Sequence, residues 1–159
     1  MNNFTQRFLS GAVYTLVVTC ALIFSQAASD ILFLVLALMA VREYHVICRS
    51  SLPVMAWSLA ATVPLFLTQV SAHAAFWYAA LGMVLFGSFI SELFRKADIP
   101  MENWGRTLVS LVMIGIPFSL MGAMLRMGDW AVQRWVVLAL FVCIWSNDTG
   151  AYCVGSLFG

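Results

Sequence analysis

The chain has 159 residues, of which 63% are hydrophobic and 9% charged, with mean hydropathy +0.95 and a formal net charge of +1. Soluble domains average nearer about 45–50% apolar and about 25% charged, so this composition excludes a water-soluble fold and points to an all-α, polytopic membrane bundle. A net charge this small leaves no excess of cations to neutralise phosphates along a duplex, which excludes nucleic acid as a partner.

A bilayer core about 30 Å thick needs roughly 20 apolar residues per helix. Six stretches approach that length: 8–25, 31–48, 54–70, 74–94, 107–125 and 135–146. The first has Arg7 before an apolar core and small residues after it, a pattern shared with cleavable signal peptides. A second apolar run follows at once, so it reads as a retained helix. The second stretch is interrupted near its end by Arg42 and Glu43. Neighbours on a helix point about 100° apart, so these two are not expected to pair with each other. Arg42 is expected to snorkel to lipid phosphates, and Glu43 is kept as a candidate at the edge of a metal site.

The connections carry turn residues: SQAASD, RSSLP, TQVSAH, RKADIPMENWG and RMGDWAVQR. All six tryptophans, Trp57, Trp77, Trp104, Trp130, Trp135 and Trp145, lie toward span ends, where an amphipathic ring suits the interface. Glu92 stands three and four residues before Arg95 and Lys96, the spacing of a solvated ion pair at a helix end. Pro117 lies inside the fifth stretch and predicts a kink near Ile116. Cys20, Cys48, Cys143 and Cys153 are far apart, form no metal or redox pattern, and are expected to be buried in apolar surroundings.

With the N-terminus in the cytoplasm, the inner segments hold Arg7, Arg42, Arg49, Arg95, Lys96 and Arg106, against Arg126 and Arg134 outside. This bias predicts a multi-pass inner-membrane protein with its N-terminus and the Asp148 region on the cytoplasmic face.

The last stretch, WSNDTGAYCVGSLFG, carries the chemistry. Asp148 follows an apolar run between Asn147 and Thr149, and oxygens of this kind suit a hard cation such as Mg2+, which in turn binds phosphates. The same Asp before Thr-Gly also suits the N-cap of a following helix, and spacing does not separate the two readings. Ala151, Gly155 and Gly159 recur every four residues, a stripe that lets another backbone approach closely.

These residues resemble the Trp-x-x-Asp-x-Gly-Ala-Tyr-x-x-Gly-x-x-Phe-Gly stretch of phosphatidate cytidylyltransferases, the CDP-diacylglycerol synthases. Trp145, Asp148, Gly150, Ala151, Tyr152, Gly155, Phe158 and Gly159 fall in register. Fainter likeness runs through QRFLSGAVY, ALMAVREYHVI and LMGAMLRMGDW, although the family often has a basic residue where Ser156 stands. The resemblance implies transfer of the cytidylyl group of CTP to phosphatidate with Mg2+ as cofactor. Asp148 would be the catalytic and metal residue, with Asn147, Thr149 and Tyr152 beside it at the nucleotide. Tyr152 lies one turn along from Asp148. CTP, phosphatidate and the bilayer are the expected partners, with a homo-oligomer left open. Family members continue past this Phe-Gly to a further signature of Lys, Asp and paired Gly. The expectation is therefore one integral membrane domain over 1–159, truncated before that signature and inactive alone. The rival reading is a non-enzymatic polytopic protein, such as a transporter part or a scaffold, in which Asp148 caps a helix and the glycine stripe packs.

Overall fold

A serine ends the first helix and starts the second. The computed structural model describes residues 3–95 and 99–158. Helix α1 (Asn3–Phe24) stops at Ser25, whose Oγ accepts the Ala28 N–H at 3.1 Å and so caps α2 (Gln26–Ile47). The Ser29 hydroxyl donates at 3.1 Å to both the Ala21 and Ser25 carbonyls, which the break in the helix would otherwise leave bare. α2 closes with the Ser50 N–H on the His45 carbonyl and the Arg49 N–H on the Val46 carbonyl. That pattern places Arg49 in the left-handed position usually held by glycine, and its φ is 50°.

α3 (Leu52–Val70) opens on Pro53, where the absent N–H costs nothing. α4 (Ala74–Phe94) returns beside it, and α5 (Pro100–Ser110) leads through a π-helical segment, Leu111–Gly115, into α6 (Ile116–Met124). Pro117 has no N–H for the carbonyl four residues back, and the disturbance expected near Ile116 takes the form of this wider turn. The Ile116 N–H reaches the Leu111 carbonyl, five residues back. Asp129 caps α7 (Trp130–Phe158), its Oδ1 accepting the Ala131 N–H at 2.9 Å.

The described residues contain helices and no strand, as an all-α bundle requires. Among the described residues, four helical runs are long and apolar enough to cross a bilayer: Leu52–Val70, Ala74–Phe94, Pro100–Met124 and Trp130–Tyr152. This is fewer than the six expected. The apolar part of α1 among these residues, Gly11–Phe24, is short, and α2 carries Asp30, Arg42 and Glu43 along its length.

The chain divides into two compact units, Met1–Ser29 with Met124–Gly159, and Asp30–Ala123. In the first, the Gln26 amide donates to the Leu125 carbonyl at 3.3 Å, and Arg134 Nη1 reaches the Ile23 carbonyl at 3.5 Å. Tyr14 meets Trp145 edge-on, with centroids 6.1 Å apart, so α1 runs beside α7.

In the second unit, small and polar residues bring the helices together, as is usual where apolar contact with lipid gives no net drive for association. Ser58 Oγ donates to Thr107 Oγ1 at 3.1 Å between α3 and α5, and Trp104 Nε1 donates to Ser88 Oγ at 3.2 Å between α5 and α4. Gly122 lets α6 close on α3: a Cβ there would lie 2.7 Å from Val70 Cγ1 and 3.3 Å from Phe66 Cζ. Gly122→Ala should therefore destabilise the fold. Overpacking costs about 1–3 kcal/mol, and the better helix propensity of Ala returns at most about 1 kcal/mol. Gly82→Ala meets nothing within 4 Å and should not destabilise. Comparing the midpoints of thermal inactivation of the two variants checks the sign.

The cysteine expectation is corrected: Cys20 and Cys143 are exposed and Cys48 is half-buried. On a membrane protein an apolar side chain gains as much from facing lipid as from facing the core. Cys153 lies outside the described side chains, as do Arg7, Lys96, Ser156 and Gly159.

Candidate functional site

α7 is one unbroken helix of 29 residues, so it passes straight through Asn147, Asp148 and Thr149. The N-cap reading of Asp148 is thereby corrected: no helix begins after it. Thr149, Gly150 and most of the residues after Ala151 are weak helix formers, but no proline breaks the ladder, and near lipid an unbroken helix leaves no N–H or carbonyl bare. At about 1.5 Å per residue the helix is roughly 43 Å long, more than the hydrocarbon core of about 30 Å. Asp148 stands about 27 Å from Trp130 along the axis, at the far edge of such a core.

Asp148 and Tyr152 lie four residues apart on one face, and both are exposed. Asn147 and Thr149 are exposed too, each starting about 100° round the helix from Asp148. One turn earlier Trp145 is fixed from two sides, by Tyr14 and by Phe141 at 5.7 Å, which anchors this part of α7. A Cβ at Gly150 or Gly155 would meet nothing within 4 Å, so the small-residue stripe has no close partner among the described residues.

The second polar centre belongs to the other unit and was largely hidden in the sequence. Glu92 is 3% exposed rather than solvated, which corrects the reading of a simple surface pair. Its Oε2 accepts from Arg95 Nη2 at 2.8 Å and from Asn103 Nδ2 at 3.2 Å, while Oε1 is buried without a partner among the described residues. Asn103, in the first turn of α5, lies against the end of α4. No spacing rule announces that contact between residues eleven apart.

Arg95 Nη1 reaches Ser51 Oγ at 2.6 Å, and Arg106 donates to the Cys48 carbonyl at 3.3 Å and to Glu102 Oε1 at 2.6 Å. His45, 1% exposed, shares a 2.9 Å hydrogen bond with Ser50 through Nδ1, and its Nε2 has no partner among the described residues. Arg42 and Glu43 do pair directly, at 3.0 Å, contrary to expectation. Both side chains are exposed and long enough to fold back across the angle between them. Glu43 is therefore one half of a surface ion pair, and the described residues hold no group of three His, Cys, Asp or Glu that could bind a metal ion.

The described residues form apolar helical spans, with the Asp148 carboxylate and the Tyr152 hydroxyl on one exposed face of α7. The chain matches the model of the cytidylyltransferase family over residues 5–159, and it belongs to that family. A CTP-dependent transferase kind of function in a membrane setting goes with that membership. No curated protein and no solved structure matches the chain.

Proposed function

We propose that the protein serves phospholipid synthesis by transferring the cytidylyl group of CTP to phosphatidate, giving CDP-diacylglycerol and pyrophosphate. The observation that carries this reading is the 145–159 stretch, whose Asp148 and Tyr152 share an exposed face of a family member's longest helix, at the edge of the apolar span. A phosphate oxygen of phosphatidate forms the new bond to the α-phosphorus of CTP, and the bond from that phosphorus to pyrophosphate breaks. Catalysis of such a step consists of positioning and charge stabilisation.

Magnesium commonly takes one or two carboxylates and completes its shell with water and substrate phosphates. The exposed Asp148 carboxylate fits that requirement as a single ligand, with the exposed Asn147 and Thr149 as its chain neighbours. When bound there, the ion would offset the charge of the nucleotide phosphates. The Tyr152 hydroxyl, on the same face, is placed to donate to a phosphate or ribose oxygen.

We place the Asp148 end of α7 in the cytoplasm, where CTP is available. Six of the eight Lys and Arg residues fall on that side when the helices alternate in direction. Contacts within each unit support the alternation. In one, the α1–α2 break and the start of α7 are tied by Gln26 and Arg134; in the other, Arg95 and Arg106 tie the α4–α5 connection to the α2–α3 turn.

The test is incorporation of labelled CTP into organic-extractable lipid by membranes expressing the open reading frame that contains this chain. Incorporation that requires added phosphatidate is expected; incorporation indifferent to phosphatidate would reassign the acceptor.

A further inference from the structure

We propose that Arg49, Arg95 and Arg106 form a binding site for a phosphate monoester or pyrophosphate group at the α2–α3 turn. The site shares no residue with the α7 face and does not depend on the function proposed for it. Two guanidinium groups from different parts of the chain converge on the same short turn, Arg106 on the Cys48 carbonyl and Arg95 on Ser51 Oγ. Between them the turn carries a third, Arg49, exposed and with no partner among the described residues.

The donors are not used up. A guanidinium has five N–H donors, and each of Arg95 and Arg106 spends two of its nitrogens, one on the turn and one on a carboxylate. Arg95 Nε is buried without an acceptor among the described residues. His45 adds a further open group: it is 1% exposed and bonded to Ser50 of the same turn. When Ser50 donates to Nδ1, the proton sits on Nε2, which no described atom accepts. A buried donor without an acceptor is destabilising, so the arrangement favours an incoming acceptor.

The charges agree. Arg95 and Arg106 are each matched by one carboxylate, Glu92 and Glu102, and Arg42 by Glu43, so the Arg49 charge is left over at the turn. Glu92 and Glu102 hold the Arg95 and Arg106 forks in fixed directions, the pre-organisation that makes arginine a better phosphate ligand than a freely moving cation. Donors alone, in planar forks around a surplus of positive charge, suit a small dianion with several oxygens. Either a lipid whose headgroup is a phosphate monoester or a water-soluble phosphate supplies that chemistry.

Arg49 makes the proposal testable, because its structural and binding roles have opposite signs. A non-glycine residue at φ 50° is strained, so Arg49→Gly should raise the midpoint of thermal inactivation while it removes a ligand. The purified full-length protein is placed in nanodiscs of phosphatidylcholine alone, or with phosphatidate or phosphatidylglycerol added. Retained lipid is counted by native mass spectrometry, and inorganic pyrophosphate is titrated into the phosphatidylcholine discs by calorimetry. The expected result is that Arg49→Gly weakens binding at least about fivefold, with Arg49→Lys between it and the parent, because the charge remains and the fork is lost. Loss for phosphatidate alone assigns the site to a lipid headgroup, and loss for pyrophosphate assigns it to a soluble phosphate. Equal binding of both probes by the parent and Arg49→Gly would overturn the proposal. So would equal retention of the diester phosphatidylglycerol, which would leave only a general anionic surface.

Discussion

Asp148→Asn is expected to lower the rate of cytidylyl transfer at least about 100-fold, with the amount of protein inserted in the membrane unchanged. The substitution keeps the shape of the side chain and removes its charge. Because Asp148 is exposed and caps no helix, the fold has no stake in that charge. A carboxylate that holds a cation against phosphates loses that ability when it becomes an amide, and the deficit should appear in kcat/KM for CTP. Asn147→Ala and Thr149→Ala should have smaller effects than Asp148→Asn, since each starts about 100° round the helix from it. Tyr152→Phe, on the same face, should fall between them. Steady-state kinetics on the full open reading frame in detergent–phosphatidate micelles measure all four, and an Asp148→Asn protein with parental kcat/KM would remove Asp148 from the site.

Glu92→Leu should destabilise the protein by about 3 kcal/mol, the largest stability effect expected of any single substitution discussed for the second unit. The Glu92 carboxylate is almost wholly enclosed and receives both Arg95 and Asn103; without it a half-buried guanidinium and a buried amide lose their acceptor. Glu92→Gln keeps an oxygen for Asn103 and should lose less. Removing both charges, as Glu92→Leu with Arg95→Met, should recover part of the loss, since a buried pair replaced as a whole is often close to neutral. Recovery stays partial because Arg95 also holds Ser51. The checking measurement is the fraction of protein that remains monodisperse after heating in detergent. Additive losses in the double variant would show that the two side chains do not act as a pair.

The polar ends of the helices show what could and could not be read in advance. Asp129, in a Gly-Asp-Trp sequence, caps α7 through a contact two residues away, and such local bonds follow from chain order alone. The pairing of Glu92 with Arg95 has the same local character. The burial of Glu92 does not, because it depends on Asn103 arriving from the next helix. The continuity of α7 through Asp148 was ambiguous for a related reason. Asp, Thr and Gly favour caps in water, where the side chain competes for backbone N–H groups, yet near a bilayer an unbroken ladder leaves no N–H or carbonyl bare. Arg42 and Glu43 differ again: two long exposed side chains can meet across an angle that the helix backbone alone would forbid.

Composition determined by itself that this chain is a helical membrane protein, because a surface with so few charges is stable only against lipid. The motif from Trp145 onward determined the family, since its register of Trp, Asp, Gly, Tyr and Phe is far more specific than any helix periodicity. The tertiary structure alone decided that Asp148 and Tyr152 face outward together, that Glu92 is enclosed, and that Arg95 and Arg106 meet at the turn bearing Arg49. Exposure and the meeting of distant charges are properties of how helices pack, and packing joins residues that lie as many as 111 positions apart in the chain by a hydrogen bond.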